Sequence, residues 1–309
     1  MAYRWKADKS VRANLRRLVS NQLRSAIDRL DDRQADRADA VHEARLHLKK
    51  ARSLLRLARP ALEDIYVREN ARLRDVAHQL SSQRDAQAMI EAVAKLSVHA
   101  EHEWACSGDP LALLRTIRDH LTDQQAAEQR DALDEVMPEL TGALSAAADE
   151  VERWAACVED GDAIMAGFAG SYRRGRRALR RALRQTTSEN LHEWRKESKY
   201  HRYQVRLFQD AWPVVFEARY EELKRLSDLL GDDHDLVVLC ERVCDEPPAS
   251  FDDAASGWFR QAIARRRGEL QAEALPLGRL LYAERPKQIA RRFQKFLRIG
   301  YQEETRKNG

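Results

Sequence analysis

The chain has 309 residues, 43% of them hydrophobic, enough to bury a substantial core without help from metals or disulfides. Gly and Pro number only 12 and 8 while charged residues make up 34%, a helix-favouring composition that argues against a strand-rich or collagen-like protein. The net charge of +4, from 54 basic and 50 acidic residues, is too small to imply a polyanion partner, so the distribution of charge has to decide.

No run approaches the roughly 18 uninterrupted apolar residues of a membrane helix, and Met1 to Leu18 carries no signal-like apolar stretch. Cys106, Cys157, Cys240 and Cys244 show no CxxC pair or disulfide-framework spacing; Cys240 and Cys244 read as two buried thiols. A cytoplasmic protein is expected, with no membrane among its partners.

Apolar periodicity and stop signals predict an all-α protein. In chain order the expected helices are Ser10–Leu30, Ala40–Arg59, Glu63–Leu80, Asp85–Ala105, Pro110–Asp134 and Glu139–Val158. They continue with Ala163–Arg184, Asn190–Asp210, Val214–Leu230, Asp235–Cys244, Ala254–Ala274 and Pro286–Gly300. Connections are expected at Asp31–Asp39, Ser107–Pro110, Glu159–Gly161 and Asp245–Pro248.

The second expected helix holds His42, Arg45, Lys49, Arg52 and Arg56; the eighth repeats the spacing as His192, Arg195, Lys199, Arg202 and Arg206, an offset of 150 residues. Downstream, Leu73, Leu80 and Asp85 recur as Leu223, Leu230 and Asp235 at the same offset. One duplicated domain is therefore expected over 1–309, with repeats at about 5–158 and 159–305 packed about a pseudo-twofold axis.

Positions i, i+3, i+7, i+10 and i+14 fall within about 80° on a helix, so each set forms a straight cationic stripe about 21 Å long. Beside the first lies an apolar band of Val41, Ala44, Leu48, Ala51 and Leu55, matched by Leu191, Trp194 and Val205 in the second, so each stripe borders a buried seam. Like charges at these spacings destabilise a helix by roughly 0.2–0.5 kcal/mol per pair. No acid interrupts either stripe, which points to an anionic partner supplied from outside. A solvated cationic face is one alternative, and pairing with Asp or Glu from another helix is the stronger one. His42 and His192 lie near helix starts with Asp39 and Ser188 available as caps, so backbone N–H groups would also favour an anion there.

The repeated H-x-x-R-x-x-x-K-x-x-R-x-x-x-R pattern, with its downstream L-x-x-x-x-x-x-L-x-x-x-x-D element, resembles the CHAD family, the conserved histidine α-helical domain. Arg84-Asp85 and Arg202-Tyr203 also fit that family's pattern, whereas His234 stands where the first copy has Arg84, and Leu46 where the second has Lys196. The resemblance covers nearly the whole chain. It implies a helical bundle of two pseudo-symmetric halves around a basic central groove or tunnel that binds inorganic polyphosphate, often on polyphosphate granules, with polyphosphate-metabolising enzymes as further partners. The two repeats leave no room within the chain for the triphosphate-tunnel catalytic domain to which family relatives can be fused.

The polyphosphate contacts are expected from the ten stripe residues. Additional anion contacts are expected from Arg12, Arg16, Lys50, Lys196, Arg173, Arg177, Arg180, Arg184 and Lys224, and a further basic helix face runs through Lys287, Arg291, Lys295 and Arg298. Asp85 and Asp235 are read as caps of a following helix or as groups that orient a stripe arginine. Arg45 stands where an HExxH zinc motif would need a different spacing, His99 to Glu103 reads as an exposed polar turn, and no phosphate-cradling Gly-rich loop or nucleophile elbow is present, so neither catalysis, a metal nor a cofactor is expected. Nucleic-acid binding is the alternative from another class. Aromatic residues are only 7% of the chain, and near the stripes they occur only as Trp194, Tyr200, Tyr203 and Phe208, which gives few base-stacking platforms.

Overall fold

The computed structural model describes residues 3–308 except 33, 81, 104–108, 129–131 and 159; side chains are also left undescribed at 82–86, 101–103, 126–128, 132–135, 304–305 and 307–308. The side chains of Arg84 and Asp85, and Cys106 as a whole, therefore lie outside what is described.

The described chain is helical throughout: α1 (Val11–Asp31), α2 (Arg37–Gln79), α3 (Ser82–Glu103), α4 (Pro110–Glu128), α5 (Ala132–Ala155), α6 (Gly161–Arg184), α7 (Ser188–Leu207), α8 (Pro213–Asp245), α9 (Asp253–Leu281) and α10 (Pro286–Asn308). A short 3-10 turn at Gln209–Ala211 joins α7 to α8. No helix among the described residues is long and apolar enough to cross a membrane.

Helix starts follow local chemistry. Ser10, Asp160 and Asp252 each accept a hydrogen bond from the first turn of the helix they cap. The expected break near Arg59 to Glu63 appears as a kink: Pro60 removes a backbone donor, and Glu63 takes φ 41, ψ −111, outside helical geometry. Two expectations fail. The Leu230 to Asp235 break does not exist, because α8 runs unbroken through Gly231-Asp-Asp-His234. His99 lies within α3 and not in a turn.

The core explains the continuity of α8. A large cluster gathers buried side chains of α1, α2, α5, α6, α7 and α10 together with Phe216, Leu223, Leu226 and Leu230 from the first half of α8. A smaller cluster unites Val93, Leu96, Leu114, Ile117, Phe259 and Ile263 with Leu236, Leu239 and Val243 from its second half. Burying both apolar segments of α8 outweighs the roughly 1 kcal/mol helix penalty of one glycine. Helices α2 and α6 come close enough that a Cβ at Gly167 would fall 1.8 Å from the Leu57 carbonyl oxygen. Cys157 is exposed, and Cys240 and Cys244 are only half-buried, which corrects their reading as buried thiols.

Candidate functional site

The apolar bands fix how the stripes face. Val41, Ala44, Leu48, Ala51 and Leu55 are at most 1% exposed, as are Leu191, Trp194 and Val205, so each stripe runs along the edge of a fully buried seam. The caps differ from expectation. Asp36 accepts from Ala38 and Asp39 N–H at 3.0 and 3.1 Å and begins α2. Thr187 accepts from Asn190 N–H at 3.3 Å and begins α7, while Ser188 Oγ takes a hydrogen bond from Arg267 at 3.1 Å. His42 and His192 consequently sit past the first turn, where N–H groups are spent on helical bonds, and a helix-start anion seat at the histidines is not formed.

Helices α2 and α7 cross antiparallel, and the crossing is polar. Ser53 Oγ donates to the Tyr200 carbonyl at 3.1 Å, and Gln204 Nε2 donates to the Ser53 carbonyl at 3.3 Å and to Ser171 Oγ at 2.9 Å. Next to it Arg56 donates to both oxygens of Glu197 at 2.9 and 3.2 Å, and Arg174 from α6 donates to the same carboxylate at 3.1 Å. Arg56 lies 3.9 Å above the Tyr200 ring and Arg52 lies 5.9 Å from it, with Arg52 Nε held by Asn70 at 3.1 Å. Pairing with an acid from another helix thus accounts for Arg56, an acid that no inspection of the stripe alone would find.

Along the crossing the two stripes come within electrostatic reach of each other. Burial, reinforced by Arg195, Lys49 and Arg202, holds the Lys199 ammonium well below the usual lysine range, with Asp235 opposing. Burial and then Arg202 and Arg206 likewise lower Lys50. Lys49, Lys50, Arg195, Lys199, Arg202 and Arg206 therefore form one cationic cluster drawn from both helices. Two acids approach it at long range: Asp228 lies 3.9 Å from Arg202, and Asp235 lies 3.9 Å from Arg195.

The α7 side has a partner that the sequence did not disclose. His234 of α8 places its ring 4.1 Å from that of His192. Burial and then Arg195 lower His192, whose Nδ1 is buried without a hydrogen bond. Burial and then His192 push His234 down to about 4. The one signal in the sequence was that His234 departs from Arg84 at the matching place. Asp235 lies inside α8 and caps nothing; burial raises its pKa against the pull of Arg195 and Lys199, and its contact is with the stripe arginine. The Arg195 guanidinium packs over Gly231 of α8. At the outer end of the α2 stripe His42 is exposed, and Arg45 donates to the Ala77 carbonyl at 2.6 Å, tying the stripe to the far end of its own kinked helix. Arg206 stacks 4.8 Å from Tyr220.

The additional cations divide into two groups. Arg12 and Arg16 pair with Glu152 of α5 at 3.4 and 3.1 Å, Lys196 with Glu193 at 2.6 Å, and Lys224 with Glu221 at 3.9 Å. Arg173, Arg177, Arg180 and Arg184 form an exposed face of α6, while Arg174 turns inward to Glu197. A cavity of about 890 Å3 lies elsewhere, lined by Trp5, Met165, Phe208, Leu297 and Tyr301 among others, and contains no stripe residue. Among the described residues no group of three His, Cys, Asp or Glu side chains is placed to hold a metal ion.

No curated protein matches the chain. Among solved structures it is similar to the CHAD domain from the plant Ricinus communis, at 18% identity over 92% of this chain and 95% of that one, with a TM-score of 0.59. At that identity the likeness speaks for the fold. The family model of the CHAD domain matches residues 17–244, which spans α2, α7 and α8 with both stripes, and the chain belongs to the CHAD domain family.

Proposed function

We propose that this protein binds inorganic polyphosphate without hydrolysing it, along the cations that α2 and α7 bring to their crossing. The observation that carries this reading is Lys199: an ammonium half-hidden from water beside Arg195, Arg202 and Lys49, with Asp235 as its chief opposing charge. Such a cluster is unfavourable by itself and is relieved by a string of negative charges. Arginines grip phosphate oxygens in forked pairs, while lysine and histidine add charge. The two stripes serve as matching halves of one duplicated domain, with repeats at about 5–158 and 159–305 around a basic groove. The setting is cytoplasmic, on polyphosphate granules, where the protein assists polyphosphate-metabolising enzymes.

Nucleic acid fits less well. Trp194, Tyr200, Tyr203 and Phe208 are buried to 8% exposure or less, so the aromatic residues near the stripes are not free to stack on bases.

Titration with medium-chain polyphosphate across a salt series tests the proposal. By analogy with single-stranded nucleic acid, log K should fall with log salt at about 0.7 per phosphate neutralised, and affinity should grow with chain length. Flat salt dependence contradicts the proposal. Tighter binding of RNA than of polyphosphate at equal charge moves the function to nucleic acid, and release of phosphate from the bound chain overturns the non-catalytic reading.

A further inference from the structure

Helix α10 carries a second cationic surface remote from the stripes in sequence and different in kind. From Arg285 to Gln302 it has six basic residues and no acid. Its apolar side packs into the core through Ile289, Ala290 and Phe293, and Gly300 lies so close to the 3-10 turn that a Cβ would fall 1.9 Å from the Ala211 carbonyl oxygen. Lys287, Arg291, Lys295 and Arg298 are all exposed on the opposite side and form no ion pair among the described residues.

The edge of this surface is apolar. Trp212 is 46% exposed and packs edge-on against Phe296 at 4.8 Å; Val214, two residues further on, is 76% exposed; and Ile299, one turn beyond Phe296, is 55% exposed. On the helix, Arg298, Arg291, Lys295 and Ile299 share an arc of roughly 100°, so these cations adjoin the apolar edge, with Lys287 roughly 20° beyond them on the far side. Asp210 of the 3-10 turn is held by Arg4 at 3.0 Å, Glu303 by Arg306 at 3.1 Å and Glu284 by Arg292, while Glu217 is an exposed acid one turn past Val214, so the positive charge is concentrated along α10.

We propose that this face docks on an anionic lipid bilayer, with Lys287, Arg291, Lys295 and Arg298 against the headgroups and Trp212, Val214 and Ile299 at the hydrocarbon boundary. A polyphosphate or RNA chain would satisfy the cations but offer nothing to Val214 and Ile299. A bilayer interface matches both, and Trp is favoured there because its ring is apolar and its N–H is polar. The lack of a membrane-spanning helix concerns insertion and not adsorption, so the expectation of no membrane partner, drawn from hydropathy, is refined here to surface contact. The proposal is independent of the polyphosphate site.

Flotation of the full chain with vesicles of mixed phosphatidylglycerol and phosphatidylcholine, and with pure phosphatidylcholine, tests it. Binding is expected to the mixed vesicles alone, with a blue shift of tryptophan emission that Trp212→Phe diminishes. Each lysine or arginine near an anionic surface is worth about 1 kcal/mol, or about fivefold in partition, so Lys295→Glu/Arg298→Glu should lower partition by about 25-fold or more while polyphosphate affinity persists. Should the charge-reversed chain lose helicity, Lys295→Gln/Arg298→Gln is expected to show the same direction of loss. Failure of the native chain to bind mixed vesicles, equal binding to pure phosphatidylcholine, or undiminished binding by the variants overturns the proposal. Burial of Trp212 by self-association without vesicle binding assigns the face to a second copy and overturns it as well.

Discussion

The α2 stripe and the α7 stripe share one spacing but live in different surroundings. On α2, His42 is exposed, Arg45 is spent on a backbone carbonyl and Arg56 on Glu197, so part of this stripe holds the fold together. On α7, Lys199 sits in a poorly hydrated cluster of like charge, and His192 leans on a second histidine. A motif repeated residue for residue can therefore be structural at one end and electrostatically loaded at the other. On the α7 side, α8 supplies His234 beside His192 and Asp235 beside Arg195.

The largest effect should come from cutting the link between the two helices. Glu197→Ala leaves Arg56 and Arg174 side by side without their shared carboxylate, and breaking such a buried pair is expected to destabilise by about 3 kcal/mol in urea unfolding. Unchanged stability would show that the crossing does not depend on this pair.

The next effect is one of pH. The folded-state pKa values of His192 and His234 lie below 6.5, so the unfolded chain binds more protons, and stability of the free protein should fall as pH drops from 6.5 towards 4. Bound phosphate favours the protonated rings, so polyphosphate affinity should rise over the same window. His234→Arg, which copies the first repeat, is expected to flatten the rise; an unaltered profile in that variant would remove the histidine pair from binding. The smallest effect belongs to the exposed pair partners: Arg12→Ala/Arg16→Ala should change stability by less than about 1 kcal/mol, since both side chains and Glu152 are about half exposed. A loss of polyphosphate affinity in that variant beyond about threefold would extend the site to α1.

Local signals made most of the helices and the faces of both stripes legible, because a fourteen-residue spacing leaves little freedom in where side chains point on a helix. Two of the misses come from tertiary contact and one from local ambiguity. Glu197 is five residues past His192 and off the stripe, so its bond to Arg56 follows only once α2 and α7 cross. Gly231-Asp-Asp has the chemistry of a turn, yet two cores pull α8 straight through it. The caps slipped from Asp39 to Asp36 and from Ser188 to Thr187 because several residues near each start can cap, and one or three positions were enough to move the histidines away from the free N–H groups.

The polyphosphate proposal turns on Lys199, a buried ammonium with Arg195, Lys49 and Arg202 around it. Measuring unfolding and polyphosphate binding on Lys49→Met/Lys199→Met tests it most directly. Each lost charged contact is worth about 1.5–3 kcal/mol, so affinity should fall by about 100-fold or more, with most of the loss already present in Lys199→Met alone. Stability of Lys199→Met should stay level or rise, since a buried charge beside Arg195 and Arg202 is gone. Polyphosphate affinity equal to that of the unaltered protein, or a stability loss that accounts for the lost binding, would contradict the account.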